Sequence, residues 1–464
     1  MTPGPSRIVR PARDAPDVLC ADFARIRAEF KLPETFPDDV LAEAERAAAA
    51  DWPRDGRADL RDREFVTIDP PGSMDLDQAM LLERDGDGFA VNYAIADVGA
   101  IVPAGGTVER EAWLRGQTVY LPDKRVSLYP PAISEGAASL LPDQERPALV
   151  YRIGLDSNGA QRSARLDRAV VRSHRRLAYG EGTIPLLEDV GERRIAIARE
   201  RGALSLDAPA QEVVPDPAAP YGYRLELEQR RPDEDWNAEI SLLAGMAAAG
   251  IMRERGVGLL RTMGGADAYR VDRVRAAAQA LGVAWPDGET FEHFAMRLDP
   301  SVPREAALIE EARDAMGHAG YRYFEGAVPP DAIHAGIAAF YAHTTAPLRR
   351  LADRYVLELV AGGGDRAALQ KLPEVMAEAG GRSARVEAAV VDDMEARLLE
   401  HRVGETFAAV AMENDRRGTI IRIADPPVRA RMHADPPPTP GDAVAAQLVR
   451  ADPVSRSLEF RTPA

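Results

Sequence analysis

The sequence predicts an α+β protein in three parts: a small helical N-terminal module, a central domain in which helices pack against a sheet, and a short all-β barrel at the C-terminus. Alternating apolar stretches between residues 65 and 173 predict strands, and longer periodic segments between 186 and 412 predict mostly helices. After Glu413, short alternating segments separated by Pro, Gly and Asp are typical of a small barrel. The predicted boundaries are 1–58, 59–412 and 413–464.

The N-terminal part begins with an arm rich in Pro and Arg, residues 1–16, and continues with a helical pattern from Val18 to about Ala50. Pro33 divides that pattern in two. The second half has an acidic first turn and an alanine-rich body, both of which favour a helix. We therefore expect an arm followed by two helices.

Composition restricts the class of protein. With 464 residues, of which 45% are hydrophobic and 28% charged, the chain can bury a sizeable core and is not disordered. It has no apolar run long enough to span a bilayer and no apolar stretch typical of a secretory leader, so we expect no membrane contact. Cys20 is the only cysteine, which excludes internal disulfides and cysteine-rich zinc sites and indicates the cytoplasm.

The net charge of −16 disfavours a protein that wraps duplex nucleic acid with a wide basic surface. It does not disfavour an enzyme that threads a single strand into a short basic channel, because the local field decides binding there.

An aspartate cluster follows the first central strand. Asp69 ends the strand, and Asp75 and Asp77 lie just beyond a glycine turn, in the sequence FVTIDPPGSMDLDQ. Asp75 and Asp77 are two residues apart and point the same way in an extended chain. Crowded carboxylates repel each other unless a divalent cation neutralises them, and Mg²⁺ prefers oxygen ligands. Taken alone, this stretch also fits an ordinary polar loop.

The residues around the cluster resemble the ribonuclease II (RNB) family in four blocks between about residues 64 and 400. These blocks are TIDPPGSMDLDQAM, YAIADVGAIV, RGQTVYLPDKRVSLYPPAISEGAASLLPDQERPAL and HAGIAAFYAHTTAPLRRLADRY. The third is similar to the family's YLP…MLP block and the fourth to its Y-x-H-F-T-S-P-I-R-R-Y-x-D motif. The resemblance implies an RNB catalytic domain followed by an OB-type barrel.

The resemblance also implies roles for single residues. Asp77 matches the aspartate essential for hydrolysis, and Arg349 matches the arginine that contacts the phosphate near the scissile bond. Asp69 and Asp75 match metal-site aspartates, and Gln78 stands at a further metal-site position. One or two Mg²⁺ ions are expected.

RNA-binding roles are implied for four more residues: Tyr120, Tyr179, Glu387 and Arg350. Stacking on tyrosines suits a sequence-blind enzyme because every base has a π-face. Structural alternatives stay open for most of these residues. The tyrosines also fit core aromatics, and Arg350 and Arg354 also fit salt bridges on a helix.

The sequence departs from the family pattern at several places. Gln78 replaces a family aspartate, so we expect weaker metal affinity. Ala94 replaces a histidine, and Leu206 lies where an aromatic residue often clamps the terminal bases. In place of tandem cold-shock-type barrels, about sixty helical residues precede the catalytic domain.

The resemblance implies 3′-to-5′ hydrolysis of single-stranded RNA to nucleoside 5′-monophosphates, with no protein partner. Two alternatives remain at this point. The first is a catalytically impaired RNA-binding protein, with Gln78 as the lesion. The second is a phosphoesterase acting on a small nucleotide, which the acidic charge favours slightly.

Overall fold

The computed structural model describes residues 8–9, 17–204, 211–219, 221–227, 231–299, 302–423 and 425–463. A two-residue strand, β1 (Ile8–Val9), lies within the segment predicted as an arm, where no strand was expected; the rest of that arm and Leu206 fall outside the described residues. Strand β1 pairs in parallel with β9 (Gln211–Pro215), which pairs in turn with β10 (Tyr223–Leu227).

The central sheet closes into a five-stranded barrel. In spatial order its strands are β2 (Ala58–Asp69), β3 (Gln78–Asp85), β4 (Gly88–Ala96), β7 (Glu145–Leu155) and β8 (Gln161–Ala178). Neighbouring strands are antiparallel except β2 and β8, whose parallel pairing closes the barrel. Asp69 pairs with Ala178 at the end of that seam, so the last residue of β2 lies beside the last residue of β8.

Helices surround this barrel. α5 is typical of them: it begins with Pro232 and three acidic residues, which suit the positive end of a helix, and it stops at Gly256 in the left-handed conformation. It contacts β7 and β8 on one side and α9 on another. The helices that follow the N-terminal pair are α3 (Thr107–Arg115), α4 (Leu187–Glu200), α5 (Pro232–Arg255), α6 (Ala268–Ala280), α7 (Phe291–Met296), α8 (Pro303–Ala315), α9 (Leu351–Val360) and α10 (Arg366–Leu399).

Two short two-stranded sheets and three short helical turns complete the central domain. One sheet is the hairpin of β5 (Val119–Tyr120) and β6 (Arg125–Val126). The other pairs β11 (Val257–Met263) with β12 (Ala319–Glu325) in antiparallel fashion, and α6, α7 and α8 lie between these two strands in the chain. The turns are 3₁₀-helical at Val98–Ala100 and Glu400–Arg402 and π-helical at Ala132–Ala137. The segment 186–412, predicted as mostly helical, therefore also contains β9 to β12. Short apolar runs such as VGLLRTM do not separate strand from helix by periodicity alone.

The C-terminal barrel has the strand order of an OB fold. Its strands are β13 (Thr406–Asp415), β14 (Gly418–Ile423), β15 (Val428–His433), β16 (Ala443–Asp452) and β17 (Ser457–Arg461), closed in the order β13-β14-β15-β17-β16. Strands β15 and β17 are parallel, and the other pairs are antiparallel. The first strand begins at Thr406, a little before the predicted boundary of 413.

The two N-terminal helices pack into different cores. Helix α1 (Asp17–Glu29) buries Phe23 and Ile26 in a cluster shared with α10 and the C-terminal barrel. Helix α2 (Asp38–Ala49) buries Val40 and Ala44 in the main core around the central barrel. Among the residues described, no helix combines the length and the apolar run needed to cross a bilayer.

Arg27 fixes α1 to the rest of the protein. Its Nη1 donates to both carboxylate oxygens of Asp123, at 2.9 and 2.7 Å, and its Nε donates to Glu34 at 2.9 Å. The Arg27 and Asp123 side chains are 5% and 10% exposed. We expect Arg27→Met to lower the free energy of unfolding by about 3 kcal/mol, because it leaves a shielded carboxylate without its partner. Urea denaturation followed by circular dichroism measures the change. Arg46→Met, at an exposed position of α2, is the control, and equal unfolding midpoints for the two variants would contradict the expectation.

Candidate active site

The loop between β2 and β3 carries the aspartates and is held by side-chain and backbone contacts. Gly72 adopts φ +82°, a left-handed conformation that favours glycine in the turn. The Ser139 hydroxyl accepts from the amide of Leu76 at 3.0 Å and donates to the carbonyl of Met74 at 2.6 Å. The carbonyl of Asp77 accepts from the amide of Ala96 at 2.9 Å. The loop therefore presents Asp75 and Asp77 from a fixed backbone.

Asp77 links this loop to the segment that precedes α9. One carboxylate oxygen accepts from the amide of Leu348 at 2.7 Å, and the other accepts from Nε of Arg349 at 2.9 Å. The side chain of Asp77 is 1% exposed and that of Arg349 is 41% exposed. Asp77 is thus buried with both oxygens used, while Arg349 is held at one end and open to solvent at the other.

Asp69 is buried and carries an oxygen, Oδ2, without a hydrogen-bond partner in the structure. Burial, with smaller contributions from nearby Asp77 and Asp75, raises the pKa of Asp69 to about 7, whereas Arg349 opposes the shift. Burial likewise raises the pKa of Asp77 to about 7, against the effect of Arg349. Each of the two carboxyl groups is therefore costly to ionise in this site unless a further cation compensates.

Asp75 and Gln78 both have partners within the protein. Nη1 of Arg125 donates to Asp75 at 2.6 Å. The hydroxyl of Tyr93, on β4, donates to the side-chain oxygen of Gln78. An amide oxygen has two lone pairs, so Gln78 keeps acceptor capacity but adds no charge.

Three aspartates and a glutamine give this cluster oxygen atoms as its only possible metal donors. Among the described residues, no three His, Cys, Asp or Glu side chains already stand grouped as a metal cage. The donors are nevertheless all oxygens, the carboxylates repel one another, and Asp69 presents a buried oxygen without a partner. Asp69, Asp75 and Asp77 fit a hard divalent cation, with Gln78 as a neutral neighbour.

The two tyrosines predicted to bind RNA lie around the same cluster. Burial raises the pKa of Tyr120 to about 12, and the nearby charges of Arg349, Asp75 and Asp77 also act on that pKa. The Tyr179 hydroxyl accepts from the side-chain amide of Asn237, on α5, at 2.7 Å. The charges of Asp69 and Arg349 both act on the pKa of Tyr179, which places its hydroxyl near them. Both rings are partly exposed and border the aspartates.

Arg350 and Glu387 lie outside this cluster. Arg350 makes two contacts with Asp353, at 3.0 and 2.8 Å, which is the salt bridge left open by the sequence. Arg354 pairs with Glu109 and Glu358. Glu387 accepts from the hydroxyl of Ser383 at 2.9 Å and lines a cavity of about 1730 Å³. The RNA-binding roles of Arg350 and Glu387 stay predictions.

This cavity adjoins the aspartate site across α5. Asn237 holds Tyr179, while its neighbours Ala238 and Glu239 line the cavity. Among the residues described, the lining contains eight arginines and five acidic residues, although the chain as a whole has a net charge of −16. An acidic protein therefore has, next to α5, a cavity whose lining contains more arginines than acidic residues.

Sequence reasoning missed several residues that shape the site: Ser139, Tyr93, Asn237 and Arg125. Ser139 and Arg125 lie within the quoted third block, and Tyr93 precedes Ala94, yet no local pattern distinguishes their contacts. Asp97, within the second quoted block, forms a buried ion pair with Arg57 at 2.6 Å. Its position indicates a structural role.

Comparison with known proteins agrees with this geometry. Residues 57–183 match the RNB domain, and residues 405–462 match the RNase II-type exonuclease C-terminal S1 domain. The first match contains the aspartates, Tyr120 and Tyr179. The chain therefore contains an RNB domain and an S1 domain. Its RNB domain is the closed barrel with the aspartate loop, and its S1 domain is the C-terminal barrel.

Individual relatives extend the similarity beyond the two domains. The chain is 27% identical over 424 residues to ribonuclease R of Aquifex aeolicus, covering 82% of this chain and 58% of the relative. It has the fold of Mycoplasma genitalium RNase R, solved in complex with ribose methylated single-stranded RNA, with a TM-score of 0.86, 19% identity and coverage of 96% and 78%. It also has the fold of yeast Ssd1, described as a pseudonuclease, with a TM-score of 0.68, 18% identity and coverage of 87% and 52%. The chain thus spans little more than half the length of the Aquifex relative.

The raised pKa values of Asp69 and Asp77 give a pH dependence with a defined sign. A carboxyl group whose folded pKa is near 7 stays protonated while the unfolded chain ionises, so stability falls as pH rises from about 4 to about 7. We expect the metal-free protein to lose thermal stability over this range relative to Asp69→Asn, and Mg²⁺ to restore part of the loss. Thermal unfolding in EDTA at a series of pH values measures this difference. Parallel curves for the two proteins would contradict the assignment.

Proposed function

We propose that this chain is a Mg²⁺-dependent 3′-to-5′ exoribonuclease that hydrolyses single-stranded RNA to nucleoside 5′-monophosphates in the cytoplasm. The observation that carries the proposal is the pairing of buried Asp77 with half-exposed Arg349, next to an oxygen-only carboxylate cluster in an RNB domain. The relatives named ribonuclease R, and the RNA complex of one of them, support the choice of substrate.

The side chains of the aspartate site would have separate roles in hydrolysis. Asp77 holds Nε of Arg349 and so orients the guanidinium, whose exposed end then faces an entering phosphate. A guanidinium donates two hydrogen bonds to phosphate oxygens and offsets the negative charge that builds up as the phosphodiester bond breaks. Asp69 and Asp75, with Asp77, would hold Mg²⁺, which when bound supplies charge neutralisation and an activated water. Gln78 lies beside them as a neutral group.

The tyrosines and the cavity would bind the strand. Tyr179 is fixed by Asn237 and borders the aspartates, so its ring can support a terminal base. Arginines of the adjoining cavity, among them Arg201 and Arg261, would attract the phosphate backbone. The local positive field overcomes the negative charge of the whole chain at this place.

A substrate panel tests the proposal. The protein with Mg²⁺ is given a single-stranded oligoribonucleotide, the DNA of the same sequence, and a nucleotide phosphomonoester. Release of nucleoside 5′-monophosphates from RNA alone is the expected result. Hydrolysis of the monoester without action on the oligomers would establish the small-nucleotide phosphoesterase instead.

One observation favours a second candidate, an RNA-binding protein without catalysis. Gln78 provides no charge and its oxygen is already held by Tyr93, which weakens the metal site. Yeast Ssd1 also shares the fold and is described as a pseudonuclease. Retention of RNA in a gel shift, with no product at any Mg²⁺ concentration, would establish this candidate.

The Gln78 position gives a direct test of metal affinity. Gln78→Asp adds a carboxylate, so we expect the Mg²⁺ concentration for half-maximal rate to fall by about tenfold. Titration of the initial rate with Mg²⁺ measures it. Gln161→Asp serves as the control. It adds the same charge at the exposed start of β8, at the opposite end of that strand from Ala178, which lies beside Asp69. If Gln78→Asp needs as much Mg²⁺ as the control, Gln78 does not limit metal binding.

A further inference from the structure

A second guanidinium, Arg125, reaches the aspartates from the β5–β6 hairpin. Its Nη1 donates to Asp75 at 2.6 Å, and its Nη2 donates to Glu135 in the π-helical turn. The side chains of Arg125 and Asp75 are 22% and 12% exposed. An ion pair so shielded from water interacts more strongly than one on the surface.

The hairpin that carries Arg125 is fixed in place. Val119, Leu121 and Val126 are buried in the core that also contains α1 and the C-terminal barrel. Asp123, in the turn of the hairpin, is held from α1 by Arg27 at 2.9 and 2.7 Å. Arg125 is therefore presented to Asp75 by a rigid backbone.

Formal charges show what this contact does to the site. The carboxylates of Asp69, Asp75, Asp77 and Glu135, when ionised, are opposed by the guanidinium groups of Arg125 and Arg349. These four negative and two positive charges, with Arg176 also acting on Asp69, leave a small negative excess that one divalent ion offsets and that two such ions would exceed. Asp75 and Asp77 already have cationic partners, whereas Oδ2 of Asp69 has no hydrogen-bond partner in the structure.

We propose that Arg125 is a resident cation of this site, which occupies Asp75 and limits the site to a single divalent ion centred on Asp69. This inference rests on the proposed metal-dependent function and specifies its stoichiometry. Arg125 is a positioning residue here, because it acts on the metal through Asp75.

The test is a titration of the full chain with Mn²⁺, in which electron paramagnetic resonance follows the free ion, at a pH above the pKa of Asp69 and without RNA. We expect one bound ion for the wild type and for Arg125→Lys, which keeps the charge. Arg125→Gln should bind a second ion, or the first at least about tenfold more tightly, because it removes an opposing positive charge. Lys124→Gln, at the neighbouring residue that faces Glu34, should match the wild type.

The outcomes separate this inference from the proposed function. Two bound ions in the wild type, or identical binding by the wild type and Arg125→Gln, would overturn the role of Arg125 and leave the metal-dependent function standing. No bound ion in any variant would overturn both. If Arg125→Gln does not fold, Glu135→Gln replaces it. That variant leaves Arg125 to Asp75 alone and should weaken binding of the single ion, and tighter binding would overturn the proposal.

Discussion

We expect Asp77→Asn to lower the rate of RNA hydrolysis by about 10³-fold and to leave RNA binding within a few-fold of the wild type. The reason is geometric as well as electrostatic. Both oxygens of Asp77 accept hydrogen bonds, from the amide of Leu348 and from Nε of Arg349. An asparagine amide has one acceptor atom and presents a donor to the other partner, so Arg349 loses its orientation and the cluster loses a charge. Single-turnover hydrolysis and filter binding measure the two effects separately.

Asp97→Asn is the matched control for this substitution. Asp97 is also a buried aspartate paired with an arginine, Arg57, but it lies outside the cluster. We expect its substitution to lower the unfolding temperature without a comparable loss of rate. Equal losses of rate in the two variants would mean that Asp77 acts through stability alone.

We expect Arg349→Lys to lower the rate of hydrolysis by about 10² to 10³-fold, and Arg349→Ala to lower it by more. Lysine keeps the charge but cannot hold Asp77 through one nitrogen while forking onto a phosphate with two others. The effect should fall on kcat more than on KM, because the contact strengthens as charge develops on the phosphate. Steady-state kinetics on an oligoribonucleotide give both constants.

Arg354→Lys provides the comparison, because Arg354 lies in α9, shortly after Arg349, and pairs with Glu109 and Glu358. Its substitution should alter stability and leave kcat close to that of the wild type. A loss confined to KM in Arg349→Lys would show that Arg349 binds the strand without assisting the chemistry.

The parts of the fold that follow local patterns were predicted from the sequence. Short-period alternation predicted the central strands and the C-terminal barrel, and the ribonuclease II resemblance placed Asp69, Asp75, Asp77 and Arg349. The chain brings these residues together although Asp77 and Arg349 are 272 positions apart.

Features that depend on pairing between distant segments were not predicted. The parallel seam between β2 and β8, which turns the sheet into a barrel, joins residues about a hundred positions apart. The contact of Arg125 with Asp75 spans 50 positions, and Arg125 looks like any hairpin cation in the sequence. Strand β1 lies in a segment whose Pro and Arg content favours an arm, and it forms only by pairing with β9. Tertiary contacts decided each of these cases.

The direction of hydrolysis at the aspartate site is the central claim, and one gel tests it. The wild type and Asp77→Asn are each given single-stranded RNA with Mg²⁺, labelled at the 5′ end in one set and at the 3′ end in another. We expect a descending ladder from the 5′ label, immediate release of labelled mononucleotide from the 3′ label, and intact RNA with Asp77→Asn. A ladder from the 3′ label, or equal cleavage by wild type and variant, would contradict it.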